Sequence, residues 1–104
     1  MTGLDKLFAT IDARKGADPS QSYTAKLLAA GVEKCARKFG EEAIETVIAA
    51  IQRDKVELAK ESADVLYHLL VLWAAAGITP QDIYAILAAR EAQSGLEEKA
   101  SRKA

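Results

Sequence analysis

A single cysteine and a single histidine in 104 residues exclude an internal disulfide and a multi-cysteine zinc site. Aromatic side chains are scarce as well, with two Phe, three Tyr and one Trp. Two prolines and six glycines leave few forced interruptions, and half the residues are hydrophobic, alanine prominent among them. That balance favours helices over strands. Neither sign of charge dominates: 14 basic residues face 15 acidic ones, for a net charge of -1. Nothing therefore suggests a nucleic-acid-binding surface or a polybasic membrane patch. The longest apolar run, VLYHLLVLWAAAGI, contains His68 and falls short of the roughly 20 residues that a spanning helix needs. The N-terminal MTGLDKLFATIDARKG lacks a basic start followed by a long apolar core, so no signal peptide is expected. These features predict one soluble, cytoplasmic, single-domain protein over residues 1–104.

What is present reads as helix. Leu4, Leu7, Phe8 and Ile11 recur at i, i+3, i+4 and i+7, predicting a first helix from Leu4 to about Lys15. GADPSQS then breaks the pattern. Helix resumes at Tyr23 and, past a candidate break at Gly31, continues as a long segment from Val32 to about Arg53. Gly40 inside it costs up to about 1 kcal/mol relative to Ala, which points to close packing or close approach of a ligand. Asp54 is suited to cap a third helix over Lys55–Ala76, with Gly77 at its C-terminal side. TPQD at 79–82 is a helix start, and this fourth helix is expected to reach Arg90 or Glu91. The tail from about residue 92 to 104 is small and charged and is expected to fray. With no strand-like alternation, no repeat and no linker, the fold class is all-α.

Acidic residues concentrate in two places. In KFGEEAIETVIAA at 38–50, Glu42 and Glu45 lie about 60° apart on one helix face, while Ile44, Val47, Ile48 and Ile51 cluster opposite. By itself that is the pattern of any amphipathic surface helix. In KESADVLYHLL at 60–70, however, Glu57, Glu61, Asp64 and His68 form one stripe that runs into an apolar stretch. Glu61 and Asp64 thus enter the core with no lysine or arginine on their face. Burying ionised carboxylates is costly without a compensating positive charge, and a divalent cation would supply it. The pairs EAIE at 42–45 and ESAD at 61–64 flank a turn near Arg53-Asp54. Glu45 and Glu61 lie seven or eight residues from it, roughly 11–12 Å along each helix. In an antiparallel hairpin the pairs are therefore level. Glu42, Glu45, Glu61 and Asp64 form an oxygen-rich set suited to Mg²⁺ or Mn²⁺.

The same residues resemble a known family. SYTAKLLAAG at 22–31, KFGEEAIE at 38–45 and ADVLYHLLVLW at 63–73 are similar to phosphoribosyl-ATP pyrophosphatases, the second enzymes of histidine biosynthesis. These belong to the all-α, MazG-like nucleotide pyrophosphohydrolases, whose broader hallmark is ExxE…ExxD. The resemblance runs from about Leu4 to Arg90. It implies Mg²⁺-dependent hydrolysis of phosphoribosyl-ATP to phosphoribosyl-AMP and pyrophosphate, with Glu42, Glu45, Glu61 and Asp64 as metal-binding acids. It also implies a helical hairpin bundle completed by dimerisation. Relatives of this kind are often fused to a zinc-dependent cyclohydrolase; one cysteine and one histidine cannot build that domain, so the free-standing form is expected.

Within such a site, Glu45 or Glu41 is the candidate for taking a proton from the attacking water. Lys38, one turn before Glu42, is placed to reach a phosphate oxygen, with Lys26 and Lys34 as weaker candidates. Ser22 and Tyr23 either contact the nucleotide or start a helix, and Arg90 either meets substrate or ends one. His68 reads as a structural histidine bonded to a carboxylate more readily than as a metal ligand, and Cys35 as a packing residue. The apolar helix surface exceeds what one short chain covers, which predicts a homodimer or higher homo-oligomer. Two other readings remain: a housekeeping pyrophosphohydrolase of plain nucleoside triphosphates, sharing the same acids, and a helical dimerisation module without activity.

Overall fold

A computed structural model describes residues 2–92; the tail expected to fray lies outside them, apart from Ala92. The described residues form five α-helices and no strand: α1 (Gly3–Asp12), α2 (Tyr23–Ala30), α3 (Val32–Ile51), α4 (Lys55–Ala76) and α5 (Pro80–Glu91). None of these helices is by itself long and apolar enough to cross a membrane.

The helix starts follow side-chain chemistry. Thr2 and Thr79 form capping boxes with Asp5 and Asp82, while Ser22 and Asp54 accept from the backbone N–H of Ala25 and Glu57. Each such cap contributes about 0.5–2 kcal/mol by satisfying an otherwise orphaned donor. Gly77 ends α4 in the left-handed conformation, at φ 81°, as a C-terminal glycine does.

Two boundaries differ from expectation. α1 stops at Asp12 instead of Lys15, and the next residues wind through turns to Gly16. Gly31 is a full break, because its φ of 97° with ψ of 175° belongs to backbone that only glycine enters readily. α2 and α3 are thus separate helices, and the four expected segments become five.

α3 and α4 are the long arms of an antiparallel hairpin and make the most extensive contact in the fold. Their turn is short: Arg53 takes a φ of 58°, and the Asp54 N–H reaches back to the Ala49 carbonyl at 3.2 Å. Small residues let the arms approach, with Ala49 fully buried between them. α1 and α2 pack on the C-terminal half of α4 around a core of Ile11, Leu27, Cys35, Leu70, Val71 and Ala74. Cys35 is a packing residue as expected: buried, with its Sγ–H donating to the Leu27 carbonyl at 3.3 Å.

The outward face of α3 is apolar and uncovered by the rest of the described residues. The apolar run there is no part of this chain's core: Ile44, Val47, Ile48 and Ile51 are all exposed, Ile51 at 74% and its neighbour across the turn, Val56, at 73%. At Gly40, of the two expectations, close packing within the chain is not met. A methyl group added there would meet nothing within 4 Å, so packing within the chain does not require glycine.

Candidate acidic metal site

The hairpin sets the acids side by side. Glu42 and Glu45 project from α3 toward α4, and one carboxylate oxygen each from Glu42, Glu45 and Glu61 lies within 4.8 Å of the others. Their level is pinned by a residue whose part was not read from sequence. The Thr46 hydroxyl sits 2.8 Å from the Glu42 carbonyl and 3.3 Å from the Glu61 carbonyl, so its hydrogen is shared between α3 and α4. The only signal for it is a lone hydroxyl residue in the middle of an alanine- and isoleucine-rich helix, where such residues bond back to the preceding turn.

Crowding of like charges leaves a clear electrostatic mark. Glu42 is pushed up to about 7, first by burial, then by sharing a proton with Glu45 and by the charges of Glu45, Asp64 and Glu61. Glu61 is also raised, first by burial and then by the Glu45 charge. The Glu61 Oε2 atom is closed off from solvent with no hydrogen-bond partner. A buried carboxylate oxygen facing other carboxylates asks for a positive charge. Donors that are all oxygens on two rigid helices match a hard divalent cation such as Mg²⁺ or Mn²⁺. The residues fit the ion that the family resemblance implies.

Asp64 stands apart from the trio. It lies one turn beyond Glu61 and is exposed; its charge raises both Glu42 and Glu61. Glu41 faces away from the cluster's chemistry, being exposed and bonded to Lys38 Nζ at 3.1 Å. That bond holds the Glu41 carboxyl below its usual range and raises Lys38.

His68 departs from expectation. It is buried, at 6% exposure, and among the described residues makes no hydrogen bond to a carboxylate; its Nδ1 has no partner there. Edge-on contacts with Tyr67 and Tyr23, at ring distances of 5.0 and 6.3 Å, hold it instead. Burial, and then the Lys38 charge, lower its proton affinity, which favours a neutral ring. Tyr67 in turn bonds Thr24. Ser22 serves as the α2 cap. Arg90 lies in the last turn of α5, where its charge suits the negative end of the helix; the main packing of α5 is against α1.

Two cavities lie elsewhere among the described residues. One of about 230 Å³ is lined by Tyr23, Lys26, Leu27, Ala30, Lys34 and Lys38, the last one turn before Glu42. The other, of about 430 Å³, opens near the C-terminal end of α4 among alanines and Gly77. Its one charged residue, Lys15, is paired with Asp12 at 3.0 Å, so it offers little chemistry.

Fold and side chains together define an all-α protein whose central hairpin gathers carboxylates fit for a divalent cation. The family is specific: the chain belongs to the phosphoribosyl-ATP pyrophosphohydrolases, whose family model matches residues 4–91. A protein of Cereibacter sphaeroides named phosphoribosyl-ATP pyrophosphatase is 60% identical over 98% of this chain and 99% of its own length. Proteins of the same name from Parvibaculum lavamentivorans and Azospirillum brasilense are 62% and 59% identical, covering 95% and 96% of this chain and 91% and 90% of their own.

Proposed function

We propose that this chain hydrolyses phosphoribosyl-ATP to phosphoribosyl-AMP and pyrophosphate, the second step of histidine biosynthesis, in the cytoplasm. The substrate is in keeping with family membership and with relatives of this name across nearly the whole chain. The observation that carries the chemistry is the cluster of Glu42, Glu45 and Glu61 oxygens, with Glu61 Oε2 buried and unpartnered. A polyphosphate and a cluster of carboxylates repel each other, so the site needs a bridging cation. Glu42, Glu45 and Glu61 would hold Mg²⁺ or Mn²⁺, with Asp64 as the fourth candidate. The bound ion would polarise the phosphoryl oxygens, acidify water and stabilise the departing pyrophosphate.

The chain's own groups supply the rest. Glu45 is the better candidate for taking the water's proton, because it lies in the cluster and is exposed. Glu41 is bonded to a lysine that weakens it as a base. Lys38, bonded to Glu41 one turn before Glu42, would meet a phosphate oxygen. The exposed ridge of Ile44, Val47, Ile48 and Ile51 supports a homodimer in which a second copy covers this face of α3.

Mg²⁺-dependent pyrophosphate release, with phosphoribosyl-ATP and plain nucleoside triphosphates assayed side by side, tests the assignment. Strong preference for phosphoribosyl-ATP is the expected result. Preference for a plain triphosphate would move the function to nucleotide-pool cleansing, and no release from any of them would leave a binding module.

A further inference from the structure

The small cavity between α2 and the first half of α3 carries three lysines and no acid among its lining residues. Lys34 and Lys38 lie one turn apart on α3, and Lys26 faces them from α2. Lys38 is already engaged by Glu41, whereas Lys26 and Lys34 form no salt bridge among the described residues. Like charges gathered in one concavity repel until an anion joins them. At about 230 Å³ the cavity is smaller than the sites that enclose whole drug-sized ligands, so it suits one end of a larger molecule.

Position along α3 indicates which end. Lys34 lies eight residues before Glu42, about 12 Å along the helix axis, and eleven before Glu45, about 16 Å. A triphosphate whose scissile anhydride rests on the acids does not extend two to three helical turns away from them. Tyr23, half-exposed, shares the wall of this cavity with the lysines and is in edge contact with the buried His68 ring. The acids, then Lys38, then a cavity wall with an aromatic ring and one pair of lysines thus succeed one another away from the hairpin turn. A substrate with phosphates at both ends of a nucleoside has the same order.

We propose that Lys26 and Lys34 bind the phosphate of the substrate's phosphoribosyl group, the feature that separates phosphoribosyl-ATP from ATP, and that Tyr23 lies against the nucleoside between the two anionic ends. This assignment rests on the function proposed above and makes the lysine cavity its specificity site. Lys38, at the border, belongs to the triphosphate end. A site built to bond a charged group discriminates strongly against a ligand lacking it, because its own charges are then left unpaired.

The test uses the full chain and its Lys26→Ala, Lys34→Ala and doubly substituted variants. Each lysine is exposed, so the variants should melt as the parent does. Calorimetric titration with phosphoribosyl-AMP and with AMP, both with Mg²⁺, compares ligands that differ only in the phosphoribosyl group. Each substitution is expected to weaken phosphoribosyl-AMP roughly ten- to hundredfold while AMP binding is unchanged. In turnover of phosphoribosyl-ATP the loss should fall on KM more than on kcat, and Lys34→Arg should restore part of it. Equal weakening of both ligands would place these lysines on the chain phosphates and overturn the proposal, as would no weakening of either. If the parent turns over phosphoribosyl-ATP and the variants match it, the lysine assignment alone falls. If the parent releases no pyrophosphate from phosphoribosyl-ATP, the functional assignment falls and takes this one with it.

Discussion

Glu61 holds one oxygen where neither water nor a donor reaches it, among acids that raise its proton affinity. Glu61→Gln keeps the shape and removes the charge. Steady-state pyrophosphate release should fall by roughly a hundredfold or more, the scale of losing several kcal/mol of metal-assisted stabilisation. The variant should still fold, because in the metal-free protein that charge is a burden. Glu42 makes the same point through pH. Its folded value of about 7 stands above the ordinary 4.5, so the folded state holds a proton that the unfolded state gives up. The stability from this group is complete below about pH 4.5 and is lost as pH rises through about 7. His68 has the opposite sign: its value is lowered from 6.5, so its contribution is present above pH 6.5 and is lost as pH falls through its lowered folded value. The difference between the parent and Glu42→Gln isolates the carboxyl. In metal-free denaturant titrations the variant should gain on the parent between pH 5 and pH 8, and saturating Mg²⁺ should shrink that gain at pH 8.

At the scale of the helix, Thr46 is the residue on which the arrangement of the hairpin turns. Its hydroxyl spans from the Glu42 carbonyl to the Glu61 carbonyl, joining the two arms at the level of the acids. Thr46→Val retains most of the volume and loses the bond. The expected cost is about 0.5–1.5 kcal/mol in the unfolding free energy, measured by chemical denaturation. The sequence announced much at this scale. Asp54, Gly77 and Thr79 mark their boundaries because capping is local chemistry, settled within four residues. The spacing of EAIE and ESAD from the turn follows from helical rise alone. What the sequence hid depends on tertiary surroundings. Gly31 differs from Gly40 only in its backbone angles, which are positive in one and helical in the other. His68 shares a stripe with Asp64, yet the packing of Tyr23 and Tyr67 decides its contacts. Thr46 shows its role only when α4 is set against it.

For the whole molecule, the exposed apolar ridge on α3 dominates. Four branched aliphatic residues on one face, each at least 49% exposed, make an unusual surface for a monomer. If a second copy covers that face, the thermal midpoint must rise with protein concentration. Ile48→Lys would place a charge in the middle of the ridge. Sedimentation should then show a shift toward monomer at micromolar concentration, and the midpoint should become lower and nearly independent of concentration. A monomeric parent with a concentration-independent midpoint would count against the dimer. The sequence shows this face as apolar, but periodicity reports which side of a helix is apolar and says nothing about which chain covers it.

The tight turn at Arg53-Asp54 has a consequence for how such a chain can vary. Both acidic pairs are placed by counting from that turn, so residue number between Glu42 and Asp64 acts as a phase. Inserting one residue between Glu45 and Arg53 would rotate the α3 acids by about 100° and shift them about 1.5 Å relative to Glu61, which would break up the oxygen cluster while leaving every acid in place. Away from the acids and the apolar ridge of α3, exposed side chains of the hairpin can change identity, but its length cannot. Where the chain tolerates insertions, they belong before α2, in the turns between Ala13 and Ser22, where nothing downstream has to keep step.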